Sequence, residues 1–169
     1  MTPAQFLTQH NPDVGIALVR RNTSAGMLAA RDDIPTLEHL AVMYGISTPI
    51  AWIKILLDSI DSVLGMKSFS EQARSDAARL IYAKYKNMNV GNILHFAALY
   101  KLGEFAEKTE HIGGIQKVMT ALRYYCIRAN DAATALIRAQ ELQKEHDERC
   151  RRGINAISYD EYRKEQGNV

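Results

Sequence analysis

Apolar residues recur at steps of three and four along most of this chain, and that spacing most constrains what it can fold into. The clearest stretch begins at Thr48-Pro49 and reaches Gly65, a residue suited to end a helix. Its apolar positions are Ile50, Ile53, Leu57, Ile60 and Leu64. No stretch alternates apolar and polar residues as a half-buried strand does. The pattern therefore predicts an all-α fold.

Capping signals divide the first part of the chain into further helices. Thr2-Pro3 opens a short helix that ends near Asn11-Pro12, because proline is favoured at the first helical position. A weaker helix is expected from Val14 to Arg31, where glycines interrupt the pattern. A better one covers Thr36 to Tyr44 and ends at Gly45.

Two later helices begin at recognisable caps. Ser68 with Glu71 forms a capping-box pattern before a helix that reaches Tyr85. Asn89 caps a helix from Val90 to Leu102, which is apolar almost all round. A helix of this kind belongs in the centre of a fold, because it has no face to turn toward water.

The last long helix changes character along its length. It follows a polar loop from Glu104 to Gly114 and runs to about Arg152. Its apolar stripe is Ile115, Val118, Met119, Leu122, Cys126, Ala129, Ala133 and Leu136. Beyond Gln140 the residues are almost all charged, so this end is expected to project into solvent or to dock on a partner. Ser158 with Glu161 marks a last capped segment.

Together these elements predict an irregular orthogonal helical bundle of five to six helices with a long C-terminal helix. Residues 1–34 are expected to form an N-terminal helical arm, residues 35–152 the helical core domain, and residues 153–169 a short helical tail. A chain of 169 residues is long enough to bury a core without disulfides or metal.

Composition narrows the classes of function. The net charge of +2 is too balanced to indicate a nucleic-acid partner by itself. Cys126 and Cys150 lie far apart on one predicted helix and cannot pair there, which favours reduced thiols and a cytoplasmic setting. The first residues lack a signal-peptide pattern, and the longest apolar run, 93–100, is too short to cross a membrane.

No constellation of catalytic residues is evident. Cys126 lies on an apolar stripe, where a cysteine usually behaves as a small buried hydrophobe. His146 and Cys150 have a spacing that can bind zinc, but two ligands do not make a site. We therefore expect no enzyme, no metal, no cofactor and no small-molecule substrate.

The stretch from Leu37 to Leu57 resembles a helix-turn-helix around Gly45. Its second helix would offer Thr48 and Lys54 as possible DNA contacts, but no arginine, asparagine or glutamine to read base edges. Trp52 on that helix is expected in the core. DNA binding is thus a weaker alternative, limited to a possible weak contact with nucleic acid.

A protein partner, or a second copy of the chain, fits the long helix better. Arginine and tyrosine are common anchors of protein interfaces, and charged residues dominate the far end of the helix. The candidate partner-binding residues are Arg123, Tyr124, Tyr125, Arg128, Lys144, Arg149, Arg151 and Arg152.

The order of these landmarks resembles an uncharacterised all-α family, a domain of unknown function, carried by phages and mobile elements of gut anaerobes. The matching residues are Leu37, Leu40, Tyr44-Gly45, Trp52, Ala78, Ile81, Tyr85, Phe96, the turn Lys101-Leu102-Gly103-Glu104-Phe105, Leu122-Arg123 and Tyr125. The resemblance covers residues 35–138, with a weaker echo at Ile157-Ser158-Tyr159 and Glu161-Tyr162. In the family that the chain resembles, a second run rich in glycine and tyrosine follows the turn at Gly103; here Ala106 to His111 takes its place.

The resemblance implies an accessory protein of a phage or mobile element, located in the cytoplasm of a bacterial host cell or, alternatively, in the virion. A non-enzymatic interaction factor is the leading expectation, with a replication-associated role such as a helicase-loader-like adaptor. The alternatives are a structural virion component, such as a connector or ring subunit, and a helix-turn-helix-like DNA-binding regulator.

Overall fold

The computed structural model describes residues 2–9, 11, 24–29, 31, 33–64 and 69–155. The α-helices are α1 Pro3–Gln9, α2 Ala25–Ala29, α3 Leu37–Tyr44, α4 Ser47–Leu64, α5 Glu71–Tyr85, α6 Val90–Lys101 and α7 Gly114–Asn155, with a 3-10 helix at Glu107–Thr109. No β-strand occurs among these residues. The all-α fold and the long C-terminal helix are confirmed, and five of the helices are eight residues or longer.

The chain divides into two compact units, Met1–Thr134 and Ala135–Val169. In the second unit every residue from 135 to 152 is exposed except Leu136, which is half-buried. The predicted division into arm, core and tail stays a prediction. The aromatic side chain of Phe6 in α1 nevertheless packs in the same core as Trp52, with ring centroids 6.2 Å apart.

Side-chain caps fix where several helices begin. Thr36 Oγ1 accepts a hydrogen bond from the His39 N–H at 3.1 Å, and Asn89 Oδ1 accepts one from the Asn92 N–H at 2.8 Å. Helix α5 departs from expectation, because its cap is Ser70, which accepts from the Ala73 N–H at 3.2 Å. The predicted starts at Ser68 and Ser158, most of the helix from Val14, and Gly65 lie outside the described residues.

Helix α6 is the buried centre that its composition predicts. All of its residues except Leu99 and Lys101 are buried. The core around it draws on α3, α4, α5 and the first part of α7, with Trp52, Ile53, Leu57 and Tyr125 among its largest side chains. The prediction of a polar loop at 104–114 is partly wrong, because Phe105 and Thr109 are buried. The ring centroids of Phe105 and Phe96 lie 5.7 Å apart.

The N–H groups at the starts of α3 and α6 find their hydrogen-bond acceptors in each other's leading segments. The N–H groups of Leu37 and Glu38 donate to the carbonyl oxygens of Met88 (3.1 Å) and Lys86 (2.8 Å), and the Val90 N–H donates to Pro35 O (3.0 Å). The first N–H groups of a helix have no partner within that helix. Each of these helix ends therefore takes its partners from the segment that leads into the other.

Helix α2 approaches α7 very closely. A Cβ atom built on Gly26 would lie 2.8 Å from the backbone carbon and from Cβ of Ala132. Real Cβ atoms do not approach other carbons so closely, so only glycine allows this packing. The alanine-rich middle of α7 supplies the small side chains on the other side of the contact.

Candidate functional site

The predicted arginine and tyrosine cluster on α7 is split between core and surface. Arg123, Tyr124 and Arg128 are exposed, but only 2% of Tyr125 is accessible to solvent. Tyr125 follows Leu122 and precedes Ala129 on the buried face of the helix. Its assignment to a partner surface was wrong, because its side chain fills the core.

Tyr125 instead holds a buried polar network. Its Oη lies 2.9 Å from His95 Nδ1 and 2.8 Å from the side-chain amide of Asn92. With its nitrogen facing Tyr125, the Asn92 amide also donates to Ala25 O at 3.0 Å and accepts from the Ala29 N–H at 3.1 Å. Burial, and next the nearby Arg128, lower the pKa of His95, so the imidazole is neutral at pH 7.

The exposed part of the cluster is held by the loop that precedes α7. Arg128 pairs with Glu104 at 3.0 Å, and Lys108 Nζ lies 5.3 Å from the ring centroid of Tyr124. Ile127, on the same face of the helix, is also exposed. Tyr124, Ile127 and Arg128 thus form one exposed surface on α7.

The remaining predicted partner residues lie in the second unit. Lys144, Arg149, Arg151 and Arg152 are all exposed. Arg149 pairs with Glu145 at 3.5 Å and Arg152 with Glu148 at 3.7 Å, one helical turn apart. Lys144 and Arg151 make no ion pair within the described part of the chain, so their charges are available to a partner.

The stretch that resembles a helix-turn-helix in sequence consists of α3, the turn at Gly45 and α4. Thr48 Oγ1 donates to Tyr44 O at 3.1 Å, and Lys54 forms an ion pair with Glu71 of α5. Trp52 is buried, as expected. The exposed line of α4 consists of Ser47, Ala51, Ile55, Asp58 and Ser62. This face therefore offers DNA one carboxylate, two hydroxyl groups and two apolar side chains but no cation, and both candidate DNA contacts already bond within the protein.

The same corner carries an apolar surface that the sequence analysis missed. Val42 is 81% exposed, Met43 52% and Ile46 58%, all within five positions of the chain. Together we call them the corner surface. The sequence does contain an indication of this surface. Leu40 to Tyr44 is apolar at every position, and one buried face of a helix requires fewer apolar residues than that.

The two cysteines differ in environment. Cys126 is half-buried with its Sγ 3.7 Å from Met88 Sδ, and burial raises the pKa of its thiol to about 11. Cys150 is exposed, with Sγ 3.8 Å from His146 Nδ1. Within the described ranges no group of three or more histidine, cysteine or acidic side chains could hold a metal ion.

A cleft of about 530 Å³ opens between the end of α2, the start of α3, the α5–α6 connection and α7. The described residues that line it are Ala29, Arg31, Ile34, Thr36, His39, Lys84, Tyr85, Asn87, Met88, Asn89, Asn92, Cys126, Ala129 and Asn130. None of them is acidic. We call this space the asparagine cleft, since asparagine is its commonest lining residue.

Comparisons with known proteins add no family to this description. No protein-family model, curated protein or solved structure matches the chain. Within the described residues, no helix combines the length and apolar character needed to cross a bilayer. The function therefore has to be inferred from the surfaces and the cleft themselves.

Proposed function

We propose that this chain is a non-enzymatic interaction factor that docks a protein partner on the corner surface. The exposure of Val42, Met43 and Ile46 at one turn carries the proposal. Large apolar side chains clustered on a surface are typical of contact sites, whereas isolated ones are ordinary. The methionine adds a flexible, polarisable contact that adapts to a partner.

The turn beneath this surface is held in one conformation. Gly45 has a φ of 86°, a left-handed value that favours glycine, and its N–H donates to Ala41 O at 2.9 Å. The Thr48 N–H in turn donates to Gly45 O at 3.1 Å. Leu40 and Trp52 anchor the two helices in the core. A surface fixed in this way loses little conformational entropy when a partner binds.

The chemistry of the corner favours protein over DNA as the partner. A DNA-binding helix presents cations to phosphates and amide or guanidinium groups to bases. The exposed line of α4 presents Asp58 and Ile55, and Lys54 is engaged by Glu71. An apolar partner surface would bury Val42 and Ile46 at no cost in unpaired charge.

The cellular setting forms part of the proposal. The family resemblance described above supports an accessory protein of a phage or mobile element acting in the bacterial cytoplasm. A replication-associated adaptor that presents one protein to another, as a helicase loader does, agrees with a small chain that has a fixed docking corner.

A second candidate function is self-assembly, as in a virion component. The second unit supports it, because Ile137 and Leu142 are exposed there among charged side chains. A helix that is polar on most sides is marginal in water unless salt bridges or a partner stabilise it. Copies of the chain that pack along residues 135–152 would supply such a partner.

Site-specific photocrosslinking in the bacterium that carries the gene tests the first proposal. Met43 is replaced with the photoreactive residue benzoylphenylalanine, and Arg79, exposed on α5, is replaced in a control. We expect one discrete protein adduct from position 43 and none from position 79. The adduct should disappear when Val42→Asp is added, but not when Leu80→Asp, another exposed apolar position, is added.

The outcomes separate the alternatives. An adduct of two copies of this chain, together with a high mass in light scattering, supports self-assembly in place of a foreign partner. If the chain binds duplex DNA, and the affinity falls steeply as the salt concentration rises, the result supports a helix-turn-helix-like DNA-binding regulator. Equal crosslinking from positions 43 and 79 contradicts docking on the corner surface.

A further inference from the structure

The asparagine cleft contains hydrogen-bonding side chains that the fold does not use. Thr36, Asn89 and Asn92 are engaged as caps or in the buried network described above. The side chains of Asn87 and Asn130 make no hydrogen bond within the described residues. Both side chains are exposed, so their amides bond to water until a ligand replaces it. A few polar groups that converge on one cavity are characteristic of a ligand site.

The hydroxyl group of Tyr85 is the clearest idle group. Its oxygen is shielded from solvent and has no hydrogen-bond partner within the described residues. Nearly all buried polar atoms in proteins are paired, because an unpaired one destabilises the fold. Burial also raises the pKa of Tyr85, which keeps the hydroxyl protonated and able to donate. Because water does not reach this oxygen, a ligand in the cleft reaches it only after the Tyr85 side chain rotates, and a bound acceptor then pairs with the hydroxyl.

Lys84 brings an uncompensated positive charge to the same place. The neighbouring cations on or just after α5 all have carboxylate partners, since Arg74 pairs with Asp58, Arg79 with Asp76 and Lys86 with Glu38. Lys84 has no such partner within the described residues. Its Nζ lies 5.5 Å from the ring centroid of Tyr85. The ammonium group and the idle hydroxyl thus belong to adjacent residues at one wall of the cleft.

The other lining residues fit a ligand with an apolar body. Ile34, Met88 and Ala129 contribute apolar surface, and Cys126 adds a thiol that is neutral at pH 7. The volume of about 530 Å³ lies within the range of small-molecule sites, roughly 300–1,000 Å³. Arg31 contributes little free charge, because Asp33 holds its guanidinium group.

We infer that the asparagine cleft binds a small organic phosphate of about mononucleotide size. The phosphate faces Lys84 and accepts a hydrogen bond from Tyr85, while Asn87 and Asn130 bind polar edges of the organic body. Lysine binds phosphate as a point charge, and asparagine amides pair with base edges. The N–H groups of Leu37, Glu38 and Val90 at the nearby helix ends are already bonded, so the side chains must bind the anion.

Isothermal titration calorimetry on the full chain tests the inference with defined probes. Adenosine monophosphate and uridine monophosphate are compared with inorganic phosphate and citrate, each at millimolar concentration. We expect a nucleotide to bind about tenfold more tightly than inorganic phosphate, because only the nucleotide reaches the amides. Lys84→Gln should weaken nucleotide binding about tenfold, and Tyr85→Phe by a smaller factor. Arg79→Gln, on the same helix but outside the cleft, should leave it unchanged.

Nuclear magnetic resonance locates the ligand independently. The side-chain amide signals of Asn87 and Asn130 should shift on addition of the nucleotide, while those of Gln72 and Gln143, both exposed outside the cleft, should not. Circular dichroism of each variant checks that it is folded.

Several outcomes overturn the inference. These are no binding of any nucleotide, equal affinity for nucleotide and inorganic phosphate, tighter binding of citrate, or equal losses in Lys84→Gln and Arg79→Gln. None of them bears on the corner surface, whose test uses other residues.

Discussion

Replacing Tyr125 with phenylalanine removes one hydroxyl group from the centre of the first unit, and the geometry sets the size of the effect. That hydroxyl serves both His95 and Asn92, which are buried, so water cannot take its place. Leaving a buried polar group unpaired costs about 1–3 kcal/mol. Asn92 keeps its contacts to the backbone of α2, whereas His95 Nδ1 loses the partner shown for it. We therefore expect the free energy of unfolding to fall by about 2–3 kcal/mol.

The chain contains its own probe and control for this measurement. Trp52 is the single tryptophan and is buried, so its fluorescence reports urea unfolding. Tyr124 is 41% exposed, and its hydroxyl makes no hydrogen bond within the described residues, so Tyr124→Phe should change stability by less than about 0.5 kcal/mol. If both substitutions have the same effect on the urea midpoint, the Tyr125 network does not stabilise the fold.

Three further predictions use the same preparation. Gly26→Ala should lower the free energy of unfolding by about 1–3 kcal/mol because its Cβ would overlap α7, whereas Gly113→Ala meets no atom within 4 Å and should have little effect; equal urea midpoints would refute this. Burial holds the pKa of His95 below 6.5, so the unfolded chain binds this proton more readily and stability should decline as pH falls below about 6.5. His95→Asn should flatten that part of the pH profile, and an unchanged slope would count against it. Cys150 should react quickly with DTNB at neutral pH, while Cys126, half-buried and with a pKa of about 11, should react much more slowly; equal rates would show that burial does not protect the Cys126 thiol.

Much of the fold could be predicted from local patterns, because helix periodicity and capping act over a few residues. The Asn89 cap and the buried helix that follows it are examples. The start of α5 differs from the prediction, and a tertiary contact that the sequence does not show lies beside it. The Phe69 N–H donates to Asp61 Oδ2 at 3.1 Å, a contact eight residues away, and Ser70 rather than Ser68 begins the helix. The local capping-box rule favours Ser68, because only Ser68 has a glutamate three residues later.

The error at Tyr125 came from choosing the wrong edge of a stripe. The buried positions on α7 are Val118, Ala121, Leu122, Tyr125 and Ala129, which also follow steps of three and four. The sequence stripe was drawn through Cys126, one position further round the helix, and this placed Tyr125 near the surface. A helical wheel alone leaves such a stripe uncertain by about one residue, or 100° of rotation.

The asparagine cleft could not be predicted from the sequence, for a different reason. Its lining comes from four separate parts of the chain, and none of these parts contains a recognisable motif. Asn87 and Asn130 are ordinary polar residues until the fold places them on the same cavity. This is why a small-molecule ligand was absent from the expectations based on sequence.

The paired beginnings of α3 and α6 have a consequence for how the molecule opens. First-turn amides usually exchange their hydrogens with water quickly, since helix ends fray on their own. Here the amides of Leu37, Glu38 and Val90 are each bonded to the opposite segment, so neither end can fray without releasing the other. Their hydrogens should exchange at the slow rate of the buried core, which joins two helices separated by more than forty residues into one cooperative block.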